Sequence, residues 1–152
     1  MAHALPTPAE ADKQYTTGLL CRALSASAGT VIKEDELTFR ALPPSSSWLR
    51  ATLAYEGSLR LQDMNGVAVV CHGLNSWRNQ VLIESLSRGL AGSGTKLASL
   101  RLDFQGNGSS GGEWGYDFSE SREVDDVEAA IRYVETELRK PVLVLAGHSQ
   151  GR

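Results

Sequence analysis

Two short, uninterrupted apolar runs, Val67–Cys71 and Val142–Ala146, constrain this chain more than any other feature. Neither alternates polar with apolar residues. As strands, such runs need cover on both faces, which is the situation inside a parallel sheet flanked by helices. The segments between them fit that arrangement. Residues 77–91 read as a helix with Ile83, Leu86 and Leu90 on one face, Ser76 as its N-cap, and Gly92 and Gly94 ending it. Residues 97–104 read as another strand. Val124, Val127, Ile131, Val134 and Leu138 then step by three and four through a second helix that Pro141 stops.

Upstream the pattern changes. Residues 31–41 and 48–57 each read as a strand, separated by the breaker LPPSSS at 42–47. In the second, Leu49, Ala51, Leu53 and Tyr55 alternate with Arg50, Thr52 and Ala54, as in a half-exposed antiparallel strand. From residue 31 the order is β, β, β, α, β, α, β, and helices of this length between strands imply right-handed parallel crossovers. The expected class is α/β: antiparallel N-terminal strands leading into a mostly parallel sheet flanked by helices. Residues 1–30 show no sustained periodicity and read as a loosely ordered extension, with a short helix around Gln14–Leu24. Residues 31–152 read as part of a single domain.

The second apolar run leads directly into Gly147-His148-Ser149-Gln150-Gly151. A G-x-S-x-G at a strand end is the pattern of a nucleophile elbow, a tight strand-to-helix turn that lifts a serine hydroxyl above the sheet. Gly147 and Gly151 suit it because a Cβ at either position would crowd the turn. The first run ends in Cys71-His72-Gly73-Leu74. Acyl transfer needs two N–H donors aimed at the developing oxyanion. One comes from the residue after the nucleophile, here Gln150. The other comes from the loop after the third strand, where Leu74 is the candidate. Both loops fall at the C-terminal edge of one parallel sheet, where ligands bind in open α/β folds. His72 and Gly73 belong to the oxyanion loop, and His148 lies inside the elbow.

Other patterns carry less. Gly106–Gly111 satisfies G-x-G-x-x-G after a strand, but helical periodicity begins only near Ser119, too late to hold a pyrophosphate at a helix N-terminus. Arg101 and Asp103 read as a structural polar pair fixing this loop. Glu123, Asp125, Asp126 and Glu128 have no histidine or cysteine near them in sequence and read as a solvated helix face, so no metal or organic cofactor is expected. Trp114, Tyr116 and Phe118 would line a pocket or pack over the sheet edge. A net charge of −3 supplies no basic patch for nucleic acid, and no apolar run reaches membrane-spanning length. Of the two cysteines, Cys21 and Cys71, the second reads as a reduced core residue. The N-terminus lacks the charged and apolar regions of a secretory signal, so the cytoplasm is expected. The Ala-, Ser- and Thr-rich start leaves organelle targeting open, with Glu10 and Asp12 arguing against it.

Together, VAVVCHGLNSWRNQ at 67–80, LRLDFQGNGSSGGEW at 100–114, EVDDVEAAIRYV at 123–134 and VLVLAGHSQG at 142–151 resemble the α/β-hydrolase superfamily. The likeness is to its serine aminopeptidase S33-like group, which includes monoacylglycerol lipase-like and cinnamoyl (feruloyl) esterase-like enzymes. It covers most of residues 48–152, in family order. It implies a carboxylic-ester hydrolase, with lipase, thioesterase or peptidase variants open. Ser149 would be the nucleophile, Leu74 and Gln150 the oxyanion hole, and a small ester or acyl compound the substrate. In that family the acid and then the histidine of the triad follow the serine, whereas only Gln150, Gly151 and Arg152 follow it here. The sequence is therefore expected to be the N-terminal part of such a fold, inactive alone, with residues 142–146 as an exposed apolar edge. The competing expectation is a short non-catalytic binding or regulatory form. Oligomeric state and any cap lie outside what the sequence specifies.

Overall fold

A computed structural model describes residues 29–113 and 121–149. The helix expected around residues 14–24, the aromatic residues at 114, 116 and 118, and Gln150 and Gly151 lie outside the described residues. Strands β1 (Ile32–Arg40), β2 (Trp48–Glu56), β3 (Gly66–Cys71), β4 (Leu97–Asp103) and β5 (Val142–Gly147) form one sheet in the order β1-β2-β4-β3-β5. Helix α1 (Val81–Ala91) joins β3 to β4, and α2 (Ser121–Thr136) lies between β4 and β5. A 3-10 turn, Leu61–Asp63, precedes β3. The strand and helix order is the one the sequence predicts.

β1 and β2 form an antiparallel hairpin, β2 runs antiparallel to β4, and β3 runs parallel to both β4 and β5. The ends of β3, β4 and β5 therefore share one edge of the sheet. All six residues of β3 are buried because it has a strand on each side and a helix over each face. Each valine buried there stabilises the fold by roughly 1.5–3 kcal/mol relative to an exposed one. On one face Leu49, Ala51, Leu53, Val67, Val69, Leu100 and Leu102 pack under Ala129, Ala130 and Val134 of α2. On the other, Ala68, Val70 and Leu97 pack under Ile83 and Leu90 of α1.

The structure corrects four local expectations. β2 is not half-exposed: Thr52 and Ala54 are as buried as Leu49 and Leu53, because Arg78 and α1 cover that face. The run 142–146 lacks the cover on both faces read from its composition and forms instead the exposed apolar edge that was also expected, since β5 is the edge strand and Leu143 and Leu145 are more than half exposed. Val124 is also exposed, and the buried side of α2 is Asp126, Ala129, Ala130 and Val134.

Helix α1 begins at Val81 rather than Trp77, with Gln80 and not Ser76 at its N-cap. The reason is a long-range commitment. The Arg78 N–H donates to Asp103 Oδ1 at 2.6 Å, which holds residues 77–80 as a separate turn closed by Gln80 N–H to the Trp77 carbonyl at 3.0 Å. The Ser76 hydroxyl donates to Gln80 Oε1 instead of capping the helix.

Candidate active site

Ser149 follows β5 with φ of +56°. A left-handed backbone is unfavourable by about 1–2 kcal/mol for a residue with a Cβ, and such conformations cluster where the surrounding structure imposes them. The imposing contacts come from the neighbouring strand. The His148 N–H donates to the Cys71 carbonyl at 3.2 Å, one step beyond the Cys71–Gly147 pairing of β3 with β5. The loop after β3 then presses against the turn. A Cβ on Gly73 would stand 2.8 Å from the His148 carbonyl oxygen, 3.0 Å from Ser149 Cβ and 3.2 Å from His148 Nδ1. Gly73 is what allows the two loops this approach. His148 itself is exposed.

His72 is almost wholly buried, and both ring nitrogens are committed. Nε2 lies 3.2 Å from the Phe104 backbone N–H, a group that can only donate, so Nε2 carries no proton. Nδ1 lies 2.7 Å from the Gly73 carbonyl, which can only accept, so Nδ1 carries it. Burial lowers the His72 pKa, against opposing contributions from the Gly73 bond and from Asp103 and Glu123. The ring is a neutral strut joining the β3 loop to the end of β4, and it stacks edge-on against Phe104. The carbonyl it holds belongs to the same peptide unit as the Leu74 N–H. The Leu74 side chain faces outward, about half exposed. Behind this loop, burial pushes the Cys71 thiol up to about 12, leaving it a protonated core side chain.

The loop after β4 is organised around Asp103, which is fully buried. Its carboxylate accepts the Arg78 backbone and guanidinium and the Ser109 N–H at 2.9 Å. Arg78 extends the network to Thr52 Oγ1 at 3.1 Å and to Glu36 at 2.7 Å. Arg101, expected as the partner of Asp103, instead bonds Glu34 at 3.0 Å and Asn79. Asp103 does fix the loop, but through the chain 25 residues before it. One glycine of GNGSSG serves that packing. Gly108 has φ of +52°, and a Cβ on it would overlap the Asp103 carboxylate.

The acidic cluster on α2 is not uniformly solvated. Asp126 is fully buried and accepts the Gln105 N–H at 2.7 Å and the Gln105 side-chain amide at 2.6 Å. Burial raises its pKa to about 6 against the lowering effect of those bonds. The sequence hides this, because Glu123, Asp125 and Glu128 around it suggest a solvated face and its partner Gln105 stands 21 residues earlier. Among the described residues no group of three His, Cys, Asp or Glu side chains could hold a metal ion, and no helix is long and apolar enough to cross a membrane.

The family model for serine aminopeptidase, S33, matches residues 62–151. Solved structures of similar fold include an alpha-beta serine hydrolase homologue from Coxiella burnetii, with a TM-score of 0.63 and 22% identity over 77% of this chain. An a/b serine hydrolase without lid from Xanthomonas campestris aligns with a TM-score of 0.62 and 23% identity over 78%. Est1E from Butyrivibrio proteoclasticus, solved with ferulic acid bound, aligns with a TM-score of 0.61 and 22% identity over 74%. The chain spans 52% of each of the first two and 43% of the third. No curated protein matches it.

Proposed function

The chain belongs to the serine aminopeptidase S33 family of α/β hydrolases, and from that premise we propose that Ser149 is the nucleophile of a carboxylic-ester hydrolase whose triad is completed by residues beyond this sequence. One observation carries the reading: Ser149 is held left-handed at the end of β5 with Gly73 packed against it. That juxtaposition puts the serine beside a backbone segment able to supply a second oxyanion donor. The Leu74 N–H is that donor, aimed by the hold of His72 on the Gly73 carbonyl. Gln150 supplies the other N–H through the turn pattern G-x-S-x-G.

In the reaction Ser149 Oγ adds to the ester carbonyl carbon, and its proton passes to a base. Collapse of the tetrahedral adduct expels the alcohol, which takes up that proton, and water then releases the acyl group by the same route. His72 is not the base. Its bare nitrogen already accepts the Phe104 N–H, and burial disfavours its charged form. His148 is the turn residue packed against Gly73. The 152-residue chain should therefore show no serine-dependent turnover, and a small ester or acyl compound is the substrate class of the complete enzyme.

The test is to express the chain extended through the rest of the hydrolase fold and assay short-chain nitrophenyl esters. Hydrolysis abolished by Ser149→Ala is expected; equal rates in both proteins would remove Ser149 as nucleophile. Turnover by the 152-residue chain itself, lost in Ser149→Ala, would show that the base lies within it.

A further inference from the structure

Asp126 is a fully buried carboxylate on α2, remote in sequence from the loop after β3 and from the G-x-S-x-G turn. Both its oxygens are used on one residue. Oδ2 accepts the Gln105 N–H at 2.7 Å and Oδ1 accepts the Gln105 side-chain amide at 2.6 Å. The orientation of that amide is set from the far side, where the Ser45 hydroxyl donates to Gln105 Oε1. Gln105 is thus gripped by α2 and by the β1–β2 connection at once. The preceding amide, Phe104 N–H, is the one that donates to His72 Nε2. Two consecutive amides of one loop therefore point to α2 and to the oxyanion loop.

We propose that Asp126 is a positioning residue for acyl transfer: by clamping Gln105 it fixes the Phe104 amide, which holds His72, which in turn holds the Gly73–Leu74 peptide facing Ser149. This rests on the reading of Leu74 N–H as an oxyanion donor. A well-packed apolar residue would fill the same space without leaving a carboxylate to bury, and burial of that carboxylate is unfavourable. What the carboxylate adds is two fixed acceptors. Without them the Gln105 N–H is left buried and unpaired, and the loop relaxes to pair it elsewhere. The other charged groups bearing on Asp126 are Arg122 and Glu123 of its own helix. Glu123 also acts on His72, so the start of α2 and the oxyanion loop share one electrostatic environment. Asp103, the remaining carboxylate acting on His72, is tied to Arg78.

The state of the His72 ring reports the relay without any need for catalysis. In the 152-residue chain, nitrogen chemical shifts of the imidazole should show a neutral ring protonated on Nδ1 that titrates below 6.5. Asp126→Ala should shift that titration upward toward 6.5 and populate the Nε2–H form, because the Phe104 amide is no longer held against the ring. Where the alanine variant does not fold, Asp126→Ser gives the same readout, since its short hydroxyl cannot span to Gln105. Asp126→Asn should keep the wild-type signature. Its carbonyl accepts the Gln105 N–H, and its amide donates to Gln105 Oε1 once that side chain turns over. A His72 signal unchanged in the alanine and serine variants, or an asparagine variant that loses it as alanine does, overturns the proposal. The signal is independent of Ser149 chemistry. An intact relay beside an unreactive serine in the extended chain would defeat the assigned function alone.

Discussion

Gly73 and Ser149 are in contact across two strands: a Cβ placed on the glycine would sit 3.0 Å from that of the serine, with the His148 carbonyl oxygen closer still at 2.8 Å. Both obstacles are backbone or backbone-fixed atoms, so no side-chain rotation relieves them. Gly73→Ala should therefore push the β3 loop off the turn after β5. Overpacking of this kind costs about 1–3 kcal/mol, measurable as a lowered urea midpoint. In the extended chain, ester hydrolysis should fall by more than the stability loss explains. An alanine variant with wild-type midpoint and rate would mean that the loops do not meet as described.

The same contact shows how far sequence reaches. β3 and β5 are legible as strands because apolar runs bounded by breakers mark them, though only β3 is buried throughout, and the tight turn after β5 is legible because G-x-S-x-G has a backbone meaning. The start of α1 is not, because the Arg78 amide is claimed by Asp103, 25 residues later in the chain. Nothing near Ser76 or Trp77 records that partner. Asp126 is similarly opaque. Its neighbours Glu123, Asp125 and Glu128 suggest a solvated face, and only the arrival of Gln105 from another loop makes its burial tolerable. Local patterning finds elements, while long-range hydrogen bonds decide their ends and the fate of their polar residues.

The backbone at Ser149 supports a second prediction. Glycine populates φ near +56° freely, whereas serine and alanine do not. Ser149→Gly should raise the unfolding free energy by about 1 kcal/mol over Ser149→Ala, while both remove the hydroxyl that reacts. Denaturant unfolding of the two variants side by side is the measurement. Equal stabilities would mean that the turn relaxes out of the left-handed conformation in solution.

β5 is an edge strand of this sheet, with Leu143 and Leu145 more than half exposed and an outward row of backbone groups. Long apolar edges of this kind template association. The 152-residue chain should self-associate with rising concentration in sedimentation velocity, and Leu145→Lys should suppress it without lowering the melting temperature. Association unaffected by the lysine would move the sticky surface elsewhere, for example to the exposed Trp77, Val81 and Leu82.

Two buried titrating groups oppose each other in the acid range. The Asp126 pKa is raised from 3.8 to about 6 by burial, so between those values the folded state binds more protons than the unfolded one. Its contribution to stability is then largest at low pH and is lost as pH rises toward 6. The His72 pKa is lowered from 6.5 by burial, so the unfolded state is the one that binds more protons. That contribution is complete above 6.5 and is lost as pH falls. The wild-type stability curve should be shallow between pH 4 and 6 because the slopes cancel in part. Asp126→Asn keeps the bonds to Gln105 and removes the titration, so acid destabilisation should become steeper than in wild type. His72→Gln should do the reverse, leaving stability that falls as pH rises through the same window. Unfolding free energies of the three proteins at pH 4, 5, 6 and 7 decide it, and parallel curves for all three would mean that neither group titrates as its burial requires.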